Sequence, residues 1–139
     1  MMDIILLKER KELIPSAIEK ELNYSKYEYI SSNNNLNYVF ILDNEIIGEV
    51  DYSYPLDTVD LLYIYIDRNK RGNGYGKNLL NATIEKLKEL NVKEIVLEVR
   101  KDNIVAFNLY KQVGFNEIGI RKNYYGGITD AILMKLIIG

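Results

Sequence analysis

The chain has 139 residues, 47% of them hydrophobic and 27% charged, a length and balance that suit one domain around one core. Lys and Arg number 18 against 20 Asp and Glu, a formal net charge of -2 that gives no support to a general nucleic-acid binder. With no Cys and no His, the chain has no disulfide, thiolate nucleophile, zinc–thiolate site, or Ser-His or Cys-His pair.

Acid–base chemistry therefore falls to Asp, Glu, Tyr, Lys, the termini or water. No apolar run approaches the ~20 residues of a membrane span. The start, Met1-Met2-Asp3-Ile4, lacks the layout of a signal peptide, so a cytoplasmic location is expected.

Residues 3–7 predict a short first strand. Lys8 to about Tyr29 reads as one or two helices, with Leu13, Ile14, Ala17, Ile18 and Leu22 at apolar positions and Pro15 in a first turn or at a break. Residues 31–35 form a polar loop. Tyr38 to Leu42 is rich in β-branched and aromatic residues and predicts a strand. Asp43-Asn44-Glu45 is a turn, and Ile46 to Tyr52 returns as its hairpin partner. Pro55-Leu56-Asp57 is a second turn. Val59 to Ile66 is then a third antiparallel strand.

Arg71-Gly72-Asn73-Gly74-Tyr75-Gly76-Lys77 follows that strand. Alternating glycines let a backbone bend sharply and approach another molecule closely. Leu80, Ile84 and Leu87 then recur at helical spacing, so a helix is predicted from about Tyr75 to Leu90, with Asn91 as its stop. A glycine turn opening a helix presents free amides that favour a phosphate group. Two common phosphate motifs fail here. Gly76-Lys77 is followed by Asn78 rather than Ser or Thr, and the glycines are not spaced as Gly-x-Gly-x-x-Gly.

Glu94 to Arg100 predicts a strand with Ile95, Leu97 and Val99 on one face and Val96, Glu98 and Arg100 on the other. Asp102 or Asn103 caps a helix carrying Ala106, Tyr110 and Val113, and Gly114 ends it. A strand over 115–121, a loop over 123–129 and a last strand over 131–138 complete the chain. The strands flanking the glycine-loop helix should run parallel, because a crossover joins them.

This order, with Arg71-x-x-Gly74-x-Gly76 between strand and helix, resembles the GNAT family of acyl-CoA-dependent N-acetyltransferases. Leu97-Glu98-Val99-Arg100, then Asn103, Ala106, Leu109-Tyr110 and Gly114-Phe115, sharpen the match. Arg121-Lys122-Asn123-Tyr124-Tyr125 and Asp130 to Met134 make it similar to the bacterial ribosomal-protein-alanine N-acetyltransferase group, the RimI-like members. The similarity covers about residues 59–138. It departs upstream, where such proteins carry a Phe-Pro-Trp-Ser-like segment on the peptide side of the site. This chain has no Trp, and residues 20–35 hold no equivalent.

The resemblance implies an α/β domain spanning 1–139. Its central twisted mixed sheet has about seven strands, splays around Ile66 and Glu98, and is flanked by helices. It implies acetyl-CoA as cosubstrate, with no metal. The pyrophosphate lies over Arg71, Gly72, Asn73, Gly74, Tyr75, Gly76 and Lys77. The pantetheine arm pairs with backbone at Ile64, Tyr65 and Ile66, and Asn103 adds a contact. Glu98 is the implied proton acceptor and Tyr110 the group beside the departing sulfur. Tyr124 and Tyr125 wall the acceptor pocket.

Each of these residues also has a plain structural role open to it: a strand-end charge for Glu98, a core ring for Tyr110, a helix cap for Asn103. The favoured acceptor is the N-terminal α-amine of a protein, attacked directly in a ternary complex. A small-molecule amine or polyamine acetyltransferase and a non-catalytic acyl-CoA-binding module are the alternatives. Neither nucleic acid nor membrane is expected as a partner, and a monomer or weak homodimer is.

Overall fold

Asp43 and Asn44 both take positive φ, at 49° and 67°. Two successive left-handed residues make the tight turn whose twist matches a β-hairpin, and Asp and Asn tolerate that conformation best after glycine. The turn joins β2 (Leu36–Leu42) to β3 (Glu45–Tyr52). The computed structural model describes residues 2–6, 35–126 and 129–139. The helices expected over 8–29 lie outside the described residues, as does most of the loop expected over 31–35.

β1 (Met2–Leu6) lies antiparallel to β2 on the outer edge, and β3 pairs antiparallel with β4 (Thr58–Ile66). The register between β3 and β4 slips between Asp51 and Tyr52, leaving Leu62 without a partner. That extra residue exchanges the faces of β4. Val59 and Leu61 are buried before it, and Ile64 and Ile66 pack against the core after it. Tyr63 and Tyr65 consequently point outward and stack, with ring centres 6.4 Å apart.

α1 (Tyr75–Glu89) buries Leu79, Leu80, Thr83, Ile84 and Leu87, one stripe at helical spacing. It ends where Asn91 turns to φ 64°. β5 (Glu94–Arg100) then enters parallel to β4, as a crossover helix requires. Ile95, Leu97 and Val99 are buried, matching the alternation in the sequence. α2 (Ile104–Val113) begins at Asn103, whose Oδ1 accepts from the Ala106 amide at 3.2 Å, and stops at Gly114 with φ 118°.

β6 (Asn116–Tyr125) and β7 (Thr129–Ile137) form a longer hairpin than the sequence predicts. The loop expected over 123–129 shrinks because Tyr125 still pairs with Thr129. The ladder is interrupted at Asn123, which takes φ 52° and donates its amide to the Asp130 carboxylate at 2.9 Å. β7 runs between β5 and β6, giving one seven-stranded mixed sheet in the order β1-β2-β3-β4-β5-β7-β6.

The core joins Phe40, Tyr52, Leu79, Leu87, Ile95, Phe115 and Met134. Within it the Tyr52 hydroxyl lies 2.7 Å from Thr83 Oγ1, which also donates toward the Leu79 and Leu80 carbonyls of its own helix. Buried polar groups need such partners. Burial pushes the Tyr52 phenol well above the ordinary value of 10.0. Among the described residues, no helix is long and apolar enough to cross a membrane.

Candidate active site

β4 and β5 pair at only three positions, Thr58 with Glu94, Val59 with Ile95 and Asp60 with Val96. Beyond Asp60 the two strands part, and the sheet forks. The closed end is tied by side chains. Thr58 Oγ1 donates to Glu94 Oε1 at 2.9 Å, and Lys135 Nζ lies 3.3 Å from Glu94 Oε2. The Thr58 hydrogen bond, and after it Lys135, hold the Glu94 carboxyl below its usual range.

A cleft of about 580 Å³ opens at the fork. Asp60, Leu61 and Leu62 line it from β4, Val96, Leu97 and Glu98 from β5, and Ile118 and Arg121 from β6. Glu98 faces it because β5 alternates and Leu97 and Val99 are turned into the core. Its Oε1 lies 3.0 Å from Nη2 of Arg121. The Glu98 side chain keeps 31% of its surface exposed, so solvent reaches the carboxylate.

The glycine loop follows the free end of β4, where Arg71 Nε donates to the Ile66 carbonyl. Asp67 caps a short 3-10 turn over Arg68–Lys70. Asn73 then folds back, its Nδ2 donating to the Lys70 carbonyl at 3.0 Å. Gly72 and Gly74 take φ 83° and 78°, and a Cβ built at either meets no described atom within 4 Å. The loop thus has its glycines where φ demands them and open space beside them. Gly74 has no side chain to cap α1, and the first turn, Tyr75 to Lys77, holds no acidic residue. An anion suits such a turn.

Gly76 serves packing: a Cβ there would stand 3.3 Å from Leu109 Cδ2 and 3.8 Å from Ile66 Cγ1. It brings the start of α1, the end of β4 and α2 together. The Tyr75 ring packs edge-on against Phe40 at 5.6 Å, which turns its side chain inward and leaves only its amide to the loop. Arg71 and Lys77 are exposed.

Tyr110 is 6% exposed and meets Phe115 edge-on at 5.8 Å. Its carbonyl accepts the amides of Gly114 and Phe115, which fixes the end of α2 around it. It stands in the core and is not among the residues lining the Glu98 cleft. Ile64 and Ile66 are half-buried on β4 beyond the pairing with β5, and Tyr65 between them is exposed. Asn103 holds its capping position. Tyr124 and Tyr125 end β6, and the wall expected of their side chains lies outside the described residues. Arg121 stood in the sequence motif with no role given to it. Only the fold brings it to Glu98 across β7.

A forked mixed sheet, with a cap-less glycine turn at one end and a solvent-reached carboxylate in the cleft, is the architecture of an acyl-group transferase. The chain belongs to the acetyltransferase (GNAT) family, whose model matches residues 5–115. It is 39% identical over 126 residues to the [ribosomal protein bS18]-alanine N-acetyltransferase of Haemophilus influenzae, across 84% of this chain and 86% of that protein. The crystal structure of the Escherichia coli ribosomal-protein-S18-alanine N-acetyltransferase superposes with a TM-score of 0.79 at 31% identity, over 100% of this chain and 95% of that one. A GNAT acetyltransferase of Elizabethkingia anophelis, solved with acetyl-CoA bound, superposes at 0.74 with 26% identity, over 98% of this chain and 97% of that one. The chain is an N-acetyltransferase of the GNAT type.

Proposed function

We propose that the protein acetylates the N-terminal α-amine of a protein, a ribosomal protein by similarity, with acetyl-CoA as donor. The observation that carries this reading is the placement of Glu98 in the cleft at the fork, with a guanidinium beside it. An ammonium cannot attack a thioester until it loses a proton. Glu98 takes that proton, directly or through the water that reaches it. The task is lighter for an α-amine, with a reference pKa of ~7.7–8.0, than for Lys at ~10.4.

Acetyl-CoA supplies an activated acetyl group on a thioester. The chain fits it in two respects. The first-turn amides of α1 and the left-handed Gly72 and Gly74 receive the pyrophosphate, with Arg71 and Lys77 as cations, and Asn73 holds the turn in shape. The backbone of Ile64 to Ile66, parted from β5, pairs with the pantetheine arm as an added strand would. Asn103 adds a polar contact there. Tyr110 supports the sulfur as charge builds on it. The sequence has no Cys, so direct attack of the amine is the economical route.

Intact-mass analysis tests the reading. Short N-terminal peptides, free lysine and spermidine are incubated separately with the enzyme and acetyl-CoA. A single acetyl group on the peptide α-amine, with the highest specificity constant of the set, is expected. A higher constant for spermidine replaces this reading with the small-molecule one.

A further inference from the structure

Among the described residues, the charged lining of the cleft is Asp60, Glu98 and Arg121. Two carboxylates alone would suit a polyamine, which carries several cations and no carbonyl. Arg121 changes that balance. Its guanidinium lines the cleft, 3.0 Å from the carboxylate proposed to receive the amine proton, and half of its side chain stays exposed.

We infer that Arg121 reads the carbonyl next to the acceptor amine and thereby restricts the reaction to α-amines, an inference that rests on the reading above. In a peptide N-terminus the first carbonyl oxygen lies only ~3 Å from the amine nitrogen, by covalent geometry. An amine held at Glu98 therefore brings that oxygen within reach of the neighbouring guanidinium. A planar fork of donors can serve a carboxylate and a carbonyl together, and a lysine ammonium has no such geometry. An alkyl amine has no oxygen to offer. A polyamine brings a second cation toward Arg121 and is repelled.

The test compares two amines that differ by a single carboxamide, alaninamide and isopropylamine. Specificity constants are measured for the wild type, Arg121→Gln and Arg121→Lys. The difference in the pKa of the two amines cancels when their ratio is compared between enzymes. A charge-assisted hydrogen bond predicts that the preference for alaninamide falls about 10- to 100-fold in Arg121→Gln. Spermidine should gain in the same variant. Arg121→Lys keeps the cation and loses the fork, so it should still reject spermidine while losing most of the preference for alaninamide. It also serves as the reading should Arg121→Gln fail to fold. An equal fall for both amines, or an unchanged ratio, overturns the inference and leaves α-amine acetylation standing. A wild-type enzyme that favours spermidine over alaninamide overturns both.

Discussion

Arg71 folds back onto the strand before it: its Nε donates to the Ile66 carbonyl oxygen at 2.9 Å, and its guanidinium lies 5.4 Å from the centre of the Tyr65 ring. The carbonyl it occupies belongs to the strand end proposed to carry the pantetheine arm. The same side chain is a proposed partner of the pyrophosphate. The pantetheine arm and Arg71 Nε would compete for the Ile66 carbonyl, while the remaining guanidinium N–H groups stay available to a pyrophosphate.

Arg71→Ala should therefore separate two halves of the cosubstrate. Acetyl-CoA should bind more weakly, because a cation beside the pyrophosphate is lost. Acetylpantetheine, which has no pyrophosphate, should bind as well as before or better, because the Ile66 carbonyl is released. Calorimetry on both ligands decides. An equal loss for both would show that Arg71 acts by shaping the loop alone.

Glu98→Gln keeps the size of the side chain and removes the base. Turnover at neutral pH should fall by roughly 10²- to 10⁴-fold, with acetyl-CoA affinity retained. The ion pair with Arg121 becomes a neutral contact on a partly exposed surface, so the thermal midpoint should move little. A pH–rate profile that superposes on that of the wild type would remove Glu98 from the role of proton acceptor.

Tyr110→Phe keeps the ring against Phe115 and deletes one hydroxyl. If that hydroxyl acts as charge builds on sulfur, turnover should fall while the Michaelis constant changes little. A loss near ~10²-fold equals about 2.7 kcal/mol of transition-state stabilisation. Full turnover per folded molecule, with a lower thermal midpoint, would return Tyr110 to the core.

The Tyr52–Thr83 pair predicts an asymmetry. Thr83→Val strands the buried Tyr52 hydroxyl and should cost about 1–3 kcal/mol, the penalty of an unsatisfied group. Tyr52→Phe leaves Thr83 its two helix carbonyls and should cost roughly 0.5–1.5 kcal/mol. The pH dependence has a definite sign. The unfolded phenol ionises near 10 and the folded one resists, so the unfolded state binds fewer protons above that pH. The contribution is fully present below pH 10 and is lost as pH rises toward the folded value. Urea denaturation at pH 8 and pH 10.5 should show a drop in the wild type that is smaller in Tyr52→Phe. Equal drops would place the alkaline loss elsewhere.

Local rules made much of this fold legible. Asp43-Asn44 announced the hairpin turn, Ile95, Leu97 and Val99 announced the buried face of β5, and Asn103 and Gly114 marked the ends of α2. What escaped depends on contacts between distant residues. The unpartnered Leu62 inverts the alternation of β4, and nothing in Leu61-Leu62-Tyr63 signals where β3 will slip. β6 runs past Arg121 because Tyr125 still pairs with Thr129, beyond a break that the Asn123 amide bridges to Asp130. The glycine loop was readable from φ-demanding positions, yet Gly76 turned out to face Leu109. Arg121 sits 23 positions from Glu98, and only the placement of β7 between their strands makes them neighbours.

The fork also bears on the handling of this protein. Past Asp60 and Val96, each strand presents a line of backbone donors and acceptors that its neighbour in the sheet does not satisfy. Such lines ordinarily occur at the rim of a sheet, where they invite pairing with other chains and seed aggregation. Here they lie in the middle, flanked by Leu61, Leu62 and Leu97. A donor molecule that occupies the gap would act as a solubility factor as well as a reactant. Purification with coenzyme A present should raise the melting temperature in a concentration-dependent way and suppress light scattering on heating. Scattering that is indifferent to coenzyme A would show that the fork protects its own edges.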